Sequence, residues 1–154
     1  MNKYQPHILV LPEDDANREL ANGFDVETGG LGQFKVLRPA GGWRNVLELF
    51  KSVHIAELNR HAERLMVLLV DFDGSPSRLA QVKDVIPSPL NDRVFVLGVW
   101  TEPEDLHQGL RETGALLAKD CRDGTSRTWS HELLKHNSAE VDRLRQLVRP
   151  ILFT

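Results

Sequence analysis

A chain of 154 residues has the length of one ordinary domain, since compact domains run roughly 100–150 residues, and leaves no room for two catalytic domains. Hydrophobic residues at 41%, charged residues at 27%, 11 glycines and 8 prolines match average globular usage and exclude a disordered, collagen-like or coiled-coil chain. Nineteen Lys and Arg against 22 Asp and Glu give a net charge of −3, which argues against gripping nucleic acid by bulk electrostatics.

The charge is uneven. Residues 1–118 hold 12 basic and 17 acidic side chains, and residues 119–154 hold 7 and 5, so only the C-terminal quarter is mildly basic. The lone Cys121 forms no internal disulfide, and the N-terminus carries no charged-then-apolar leader, so the expected compartment is the cytoplasm. The longest apolar run, 65–70, is far short of the roughly 20 residues that span a bilayer, and no membrane segment is expected.

In chain order, short aliphatic runs alternate with longer helical patterns, the signature of βα units and a mostly parallel sheet of about four strands flanked by helices, a Rossmann-like α/β arrangement. The first strand is 7–11, ended by Pro12. Asp14 or Asp15 caps a helix through about Phe24, with Ala16, Leu20, Ala21 and Phe24 on one face and Gly23 as its C-terminal signal. A glycine-rich turn at 28–32 leads to a second strand at 34–38. The turn Pro39-Ala40-Gly41-Gly42 then releases a long amphipathic helix over about 44–64. The continuous apolar run 65–71 is a strand buried on both faces, the centre of the sheet, and it ends in Asp71-Phe72-Asp73-Gly74. A short helix at 77–85, a fourth strand at 94–100 and a helix at 104–117 opened by Pro103 follow. The polar stretch 119–128 leads into a last helix, 130–148, closed by Pro150. The chain reads as one domain in which 120–154 is a helical extension.

In an open α/β sheet the ligand crevice lies beyond the carboxyl ends of the strands, so polar residues just after strands carry the chemistry. Strand one delivers Glu13, Asp14 and Asp15; strand two delivers Gly41 and Gly42; strand three delivers Asp71 and Asp73. If the chain stays extended there, Asp71 and Asp73 point the same way with Phe72 turned away. With Glu13 they make a hard-oxygen site suited to Mg²⁺ or Mn²⁺, an ion that bridges phosphate oxygens in phosphoryl or phosphodiester transfer. The bland reading of the same residues is a strand ending in a polar Asp-Gly turn. Gly41-Gly42, ahead of a helix N-terminus, is placed to contact phosphate or to make a simple tight turn.

These residues resemble the TOPRIM domain of topoisomerases, bacterial-type primases, recombination proteins and OLD-family nucleases, and the pattern is closest to the nuclease branch. That family has a glutamate after its first strand, a glycine-bearing turn after its second and an Asp-x-Asp after its third, matched here by Glu13, Gly41-Gly42 and Asp71-Phe72-Asp73 over roughly residues 8–117. The resemblance implies Mg-dependent phosphodiester cleavage or nucleotidyl transfer, with Glu13 as general acid/base or metal ligand and Asp71 and Asp73 holding the metal. The nuclease branch adds an acidic residue after the fourth strand; Glu104 and Asp105 rank above Glu102 for that role. Asp14 stands where the family often has glycine, a change that alters the turn or adds a ligand. The further domains of primases and topoisomerases do not fit in this length, and Tyr4, the only tyrosine, precedes the first strand. Nucleic acid is the expected substrate, held weakly by this chain alone, with a second copy or a partner protein supplying grip. The alternative is a TOPRIM-derived binding or regulatory module that has lost catalysis.

Leu68-Leu69-Val70-Asp71-Phe72-Asp73-Gly74-Ser75 also resembles the first motif of haloacid-dehalogenase-type phosphatases, with Asp71 as nucleophile and Asp73 as acid, but no downstream Asp-Asp pair follows it. Gly29-Gly30-Leu31-Gly32 lacks the Gly-Lys-Ser/Thr and helix of a phosphate loop. His131 and His136 are five apart and diverge by about 140° on a helix, so they are no zinc-protease pair. His54, His61, Trp43, Trp100, Trp129 and the arginines of the last helix read as structural or solvated residues.

Overall fold

The computed structural model describes residues 5–29 and 32–153; Tyr4, Gly30 and Leu31 lie outside them. Four parallel strands form one sheet in the order β2-β1-β3-β4. They are β1 (His7–Pro12), β2 (Phe34–Val36), β3 (Arg64–Leu69) and β4 (Val94–Leu97). β1 and β3 pair along their whole lengths, from His7 opposite Arg64 to Pro12 opposite Leu69. Both are apolar almost throughout because both of their faces are covered.

Alternation along the strands feeds two cores. Ile8, Val10, Leu65, Val67, Phe95 and Leu97 face a layer made by α1 (Asp15–Val26), α5 (Leu110–Asp123) and α6 (Ser138–Leu152). Leu11, Met66, Leu68, Val94 and Val96 face the opposite layer. There α2 (Trp43–Leu49) runs through a π-helical turn (Phe50–His54) into α3 (Ile55–Arg60), beside α4 (Pro76–Asp84). The fold is therefore a Rossmann-like α/β sheet with helices on both faces. Among the described residues no helix is long and apolar enough to cross a membrane.

Several boundaries differ from those expected. Gly23 does not end α1, which continues to Val26. A Cβ at Gly23 would meet the Arg111 carbonyl oxygen at 2.1 Å, and one at Gly114 would meet that of Leu20 at 1.9 Å, so the two glycines let α1 and α5 touch backbone to backbone. The long helix stops at Arg60 rather than Arg64, because Arg64 pairs with His7 in the sheet and its Nε donates to His7 Nε2 at 3.0 Å. β2 ends at Val36 instead of Arg38. The helix expected at 104–117 is split: Pro103–Leu106 is one 3-10 turn, His107 takes φ +53, and α5 begins at Leu110 and runs through Asp123, into the stretch read as polar loop.

The last helix starts at Ser138, not Ser130, and Pro150 lies inside its final turn rather than closing it. Proline there forfeits only the bond to the Gln146 carbonyl, near an end that is already short of partners. The residues before α6 are committed to β4. Asn137 accepts from Gly98 N–H (3.2 Å) and donates to Gly98 C=O (2.9 Å), and His136 Nε2 also meets that carbonyl at 2.8 Å. Glu140 accepts the Val96 N–H at 3.0 Å, Arg143 donates to Val94 C=O at 3.4 Å, and Trp100 N–H reaches Leu133 C=O at 2.8 Å. The 120–153 segment thus lines the outer side of β4 and shares the first core through Trp129, Leu134, Val141, Leu144, Val148 and Leu152. Cys121 is sealed in that core, where burial pushes its thiol pKa up.

Candidate metal site

β1 lies between β2 and β3, so the chain leaves it toward one edge and later crosses to the other. The crevice of such a sheet opens where this reversal occurs, at the carboxyl ends of β1 and β3. Glu13 follows β1 directly, and its N–H donates to Leu69 C=O at 2.8 Å, which fixes it against β3. Its carbonyl accepts from Gly41 N–H (2.9 Å) and Gly42 N–H (3.1 Å), in a turn with φ of +89 and +131 at the two glycines. Those amides are therefore spent on Glu13. The Gly41-Gly42 turn positions the glutamate from behind instead of offering its N–H groups to phosphate.

Asp14 caps α1. Its Oδ1 accepts the Asn17 backbone N–H at 3.0 Å and the Asn17 side-chain amide at 2.8 Å. The same Asn17 Nδ2 donates to Asp71 Oδ1 at 2.8 Å, so one buried amide ties the loop after β1 to the loop after β3. Glu13, Asp14 and Asp71 each offer a carboxylate oxygen within 4.8 Å of the other two. Glu13 is 7% exposed, and its Oε1 is buried without a hydrogen-bond partner.

Burial, reinforced by the Asp71 charge, pushes the Glu13 pKa up to about 8. Burial also raises Asp71, to about 6, against the lowering effect of its bond from Asn17. Glu13 is thus the more readily protonated of the two, and the pair titrates together. A divalent cation reverses this preference by favouring the charged forms, so the three carboxyls fit a hard, oxygen-seeking ion such as Mg²⁺ or Mn²⁺.

No family model, curated protein or solved structure matches this chain. The site stands on its own geometry. That geometry brings together Glu13 and Asp71 of the expected ligands, and it puts Asp14 where Asp73 was expected. The chain does not stay extended after Phe72: Asp73 takes φ +51 and Gly74 φ +66, a turn that swings the Asp73 carboxylate out to 80% exposure, 3.9 Å from Arg78 Nη2. Phe72 is fully buried in a three-ring cluster with Trp100 and His136, which anchors the strand end while Asp73 turns away.

Asp15 is exposed on the first turn of α1, outside the trio. Glu102, Glu104 and Asp105 are exposed around the Pro103–Leu106 turn. Glu104 and Asp105 raise the pKa of Glu102, and Glu104 also adds to the rise at Asp71, so this exposed group forms an acidic rim beside the trio. His54 and His61 belong to the other end of the sheet, near Arg64 and Glu57.

Asn17 and Arg78 went unread in the sequence. Asn17 had a signal, since a side chain three residues after an N-cap aspartate sits on the same turn. Arg78 had none: its Nη1 donates to the Asp71 carbonyl at 3.0 Å only because α4 folds back over the loop.

Proposed function

We propose that this protein is a Mg²⁺- or Mn²⁺-dependent enzyme acting on nucleic-acid phosphodiester bonds, by cleavage or nucleotidyl transfer, through a TOPRIM-like acidic site. The observation that carries the reading is the convergence of Glu13, Asp14 and Asp71 around the unpartnered buried Glu13 oxygen at the sheet's crevice. The order glutamate, glycine turn and Asp-x-Asp after successive parallel strands supports it. The ion would be held by these three carboxylates and would supply charge stabilisation to the phosphate oxygens.

The chain's own residues divide the remaining work. Asn17 holds Asp14 and Asp71 in place from below. Gly41 and Gly42 fix the Glu13 backbone. The proton that Glu13 holds without metal, with a pKa of about 8, would be released when the ion binds, so in the loaded site Glu13 would serve as a carboxylate ligand. Asp73 and the Glu102–Asp105 rim add negative potential that raises the local concentration of cations.

One observation favours the second reading, a module that binds a cation without turnover: the outward turn of Asp73 leaves the site short of the second Asp-x-Asp carboxylate. Calorimetric titration with Mg²⁺ and Mn²⁺ of the wild type, Glu13→Gln and Asp71→Asn, followed by nicking assays on labelled DNA and RNA, separates the two. Metal binding lost in Asp71→Asn with cleavage lost in both variants is the result expected. Metal binding without cleavage in the wild type makes the module the better account, and no metal binding removes both.

A further inference from the structure

The acidic crevice contains one cation that its ion pairs do not consume. Arg78 sits in the first turn of α4, its side chain 19% exposed. A guanidinium has five N–H donors, and among the described residues this one makes a single hydrogen bond, from Nη1 to the Asp71 carbonyl. Its contact with Asp73, at 3.9 Å to a carboxylate that is 80% exposed, is too long for a hydrogen bond and is open to water. The Trp43 ring lies under the guanidinium, 4.7 Å from its centroid, and Arg44 approaches the same ring at 5.4 Å. Stacking on an indole fixes the plane of the fork without using its donors.

The location gives the fork a purpose. Arg78 bonds to the backbone of one member of the acidic trio, and its charge depresses the proton affinity of another, Glu13. A planar, pre-oriented fork with free N–H groups beside a cation site matches two oxygens of one phosphate group. We propose that Arg78, braced by Trp43, is the phosphate-binding residue of this site and takes the non-bridging oxygens of a phosphate ester whose other oxygen faces the Glu13–Asp14–Asp71 carboxylates. This rests on the divalent-cation reading, because Asp73 and the neighbouring acids repel an anion until a cation offsets them. The phosphate belongs either to a nucleic-acid backbone or to a small phosphate ester.

The test uses the intact chain with Mn²⁺, an oligothymidylate of about eight nucleotides, and inorganic phosphate. Titrations follow both calorimetry and tryptophan fluorescence. In the wild type, Mn²⁺ is expected to be required for either anion to bind. Arg78→Gln should weaken anion binding by about tenfold or more while Mn²⁺ affinity stays equal or rises, and Arg78→Lys should recover only part of the loss because an ammonium lacks the fork. Oligothymidylate binding that inorganic phosphate displaces assigns the seat to backbone phosphate, and binding of inorganic phosphate alone assigns it to a small ester. Anion affinity unchanged in Arg78→Gln, with Mn²⁺ still bound, overturns the proposal and leaves the cation site standing. A wild type that binds no Mn²⁺ overturns both. Should Arg78→Gln not fold, butanedione modification of the wild type decides instead: protection of Arg78 by phosphate plus Mn²⁺ supports the assignment, and equal modification with and without them refutes it.

Discussion

Glu13→Gln should make the metal-free protein more stable, and increasingly so as pH rises. Between the ordinary glutamate value of 4.5 and about 8 lie about three and a half factors of ten in proton affinity, worth about 5 kcal/mol at roughly 1.36 kcal/mol per factor of ten. The folded protein binds this proton more tightly than the unfolded chain. The stability contributed by the protonated carboxyl is therefore complete below about pH 4.5 and is lost as pH climbs through about 8. Because the crevice end is reached by water and Asp71 shares the proton, about half of that figure, roughly 2–3 kcal/mol, is the effect to expect. Glutamine has the shape of the protonated acid and presents an N–H toward Asp71 at every pH, so the variant escapes the loss. Urea denaturation in EDTA at several values from about pH 5 to pH 9.5 measures it directly. The two proteins should diverge between about pH 5 and pH 8 and run parallel above, with the variant the more stable. Mg²⁺ at a hundredfold excess over its Kd should narrow the gap, because it stabilises the wild type by about 2.7 kcal/mol and the variant, which keeps Asp14 and Asp71 but lacks the third carboxylate, by less. Parallel curves over the whole range, or a variant that is less stable at pH 9 than the wild type, would refute the assignment of a held proton to Glu13.

Asp73→Asn should leave Mg²⁺ affinity within about threefold of wild type, whereas Asp71→Asn should lower it by about tenfold or more, both read by calorimetry, since an exposed carboxylate contributes little to a bound ion. Asn17→Ala, which removes the amide bridging Asp14 and Asp71, should cost about 1–3 kcal/mol in urea denaturation and weaken Mg²⁺ binding as well. Gly98→Ala should be among the most damaging single changes, about 3 kcal/mol or more, because the new Cβ would sit 1.7 Å from the Val70 carbonyl oxygen and prise β4 from β3. A thermal shift no larger than that of a surface substitution would contradict that packing.

The strands that build the sheet's centre were legible in the sequence because burial on both faces leaves an uninterrupted aliphatic run, as in Leu65–Val70. Helix ends were harder to read. Gly23 and Pro150 are ordinary stop signals, yet one is required by close contact with α5 and the other sits where few backbone bonds are at stake. The site was half legible. Glu13 and Asp71 follow from strand ends alone, but the difference between Asp14 and Asp73 lies in backbone dihedrals: an extended N-cap turns one carboxylate in, and a left-handed residue before Gly74 turns the other out. The sequence Asp-Gly permits that turn without declaring it. Arg78 and Trp43 meet across elements separated by a whole strand, a proximity that no local pattern encodes.

The polar side chains gathered along β4 bear on how this molecule keeps company with copies of itself. An outer strand with bare backbone groups invites a neighbouring chain to zip onto it, the usual first step toward swapped dimers and fibrils. Here Asn137, Glu140 and Arg143 occupy the places a visiting strand would take. One flank of the sheet is in effect plugged by amide, carboxylate and guanidinium groups imitating a fifth strand. Shortening the chain before Asn137 would unplug it and also strip Val141, Leu144, Val148 and Leu152 from the first core, so such a truncation should aggregate. Among the described residues, the sheet edge left for a foreign strand is the short opposite flank beside Phe34–Val36.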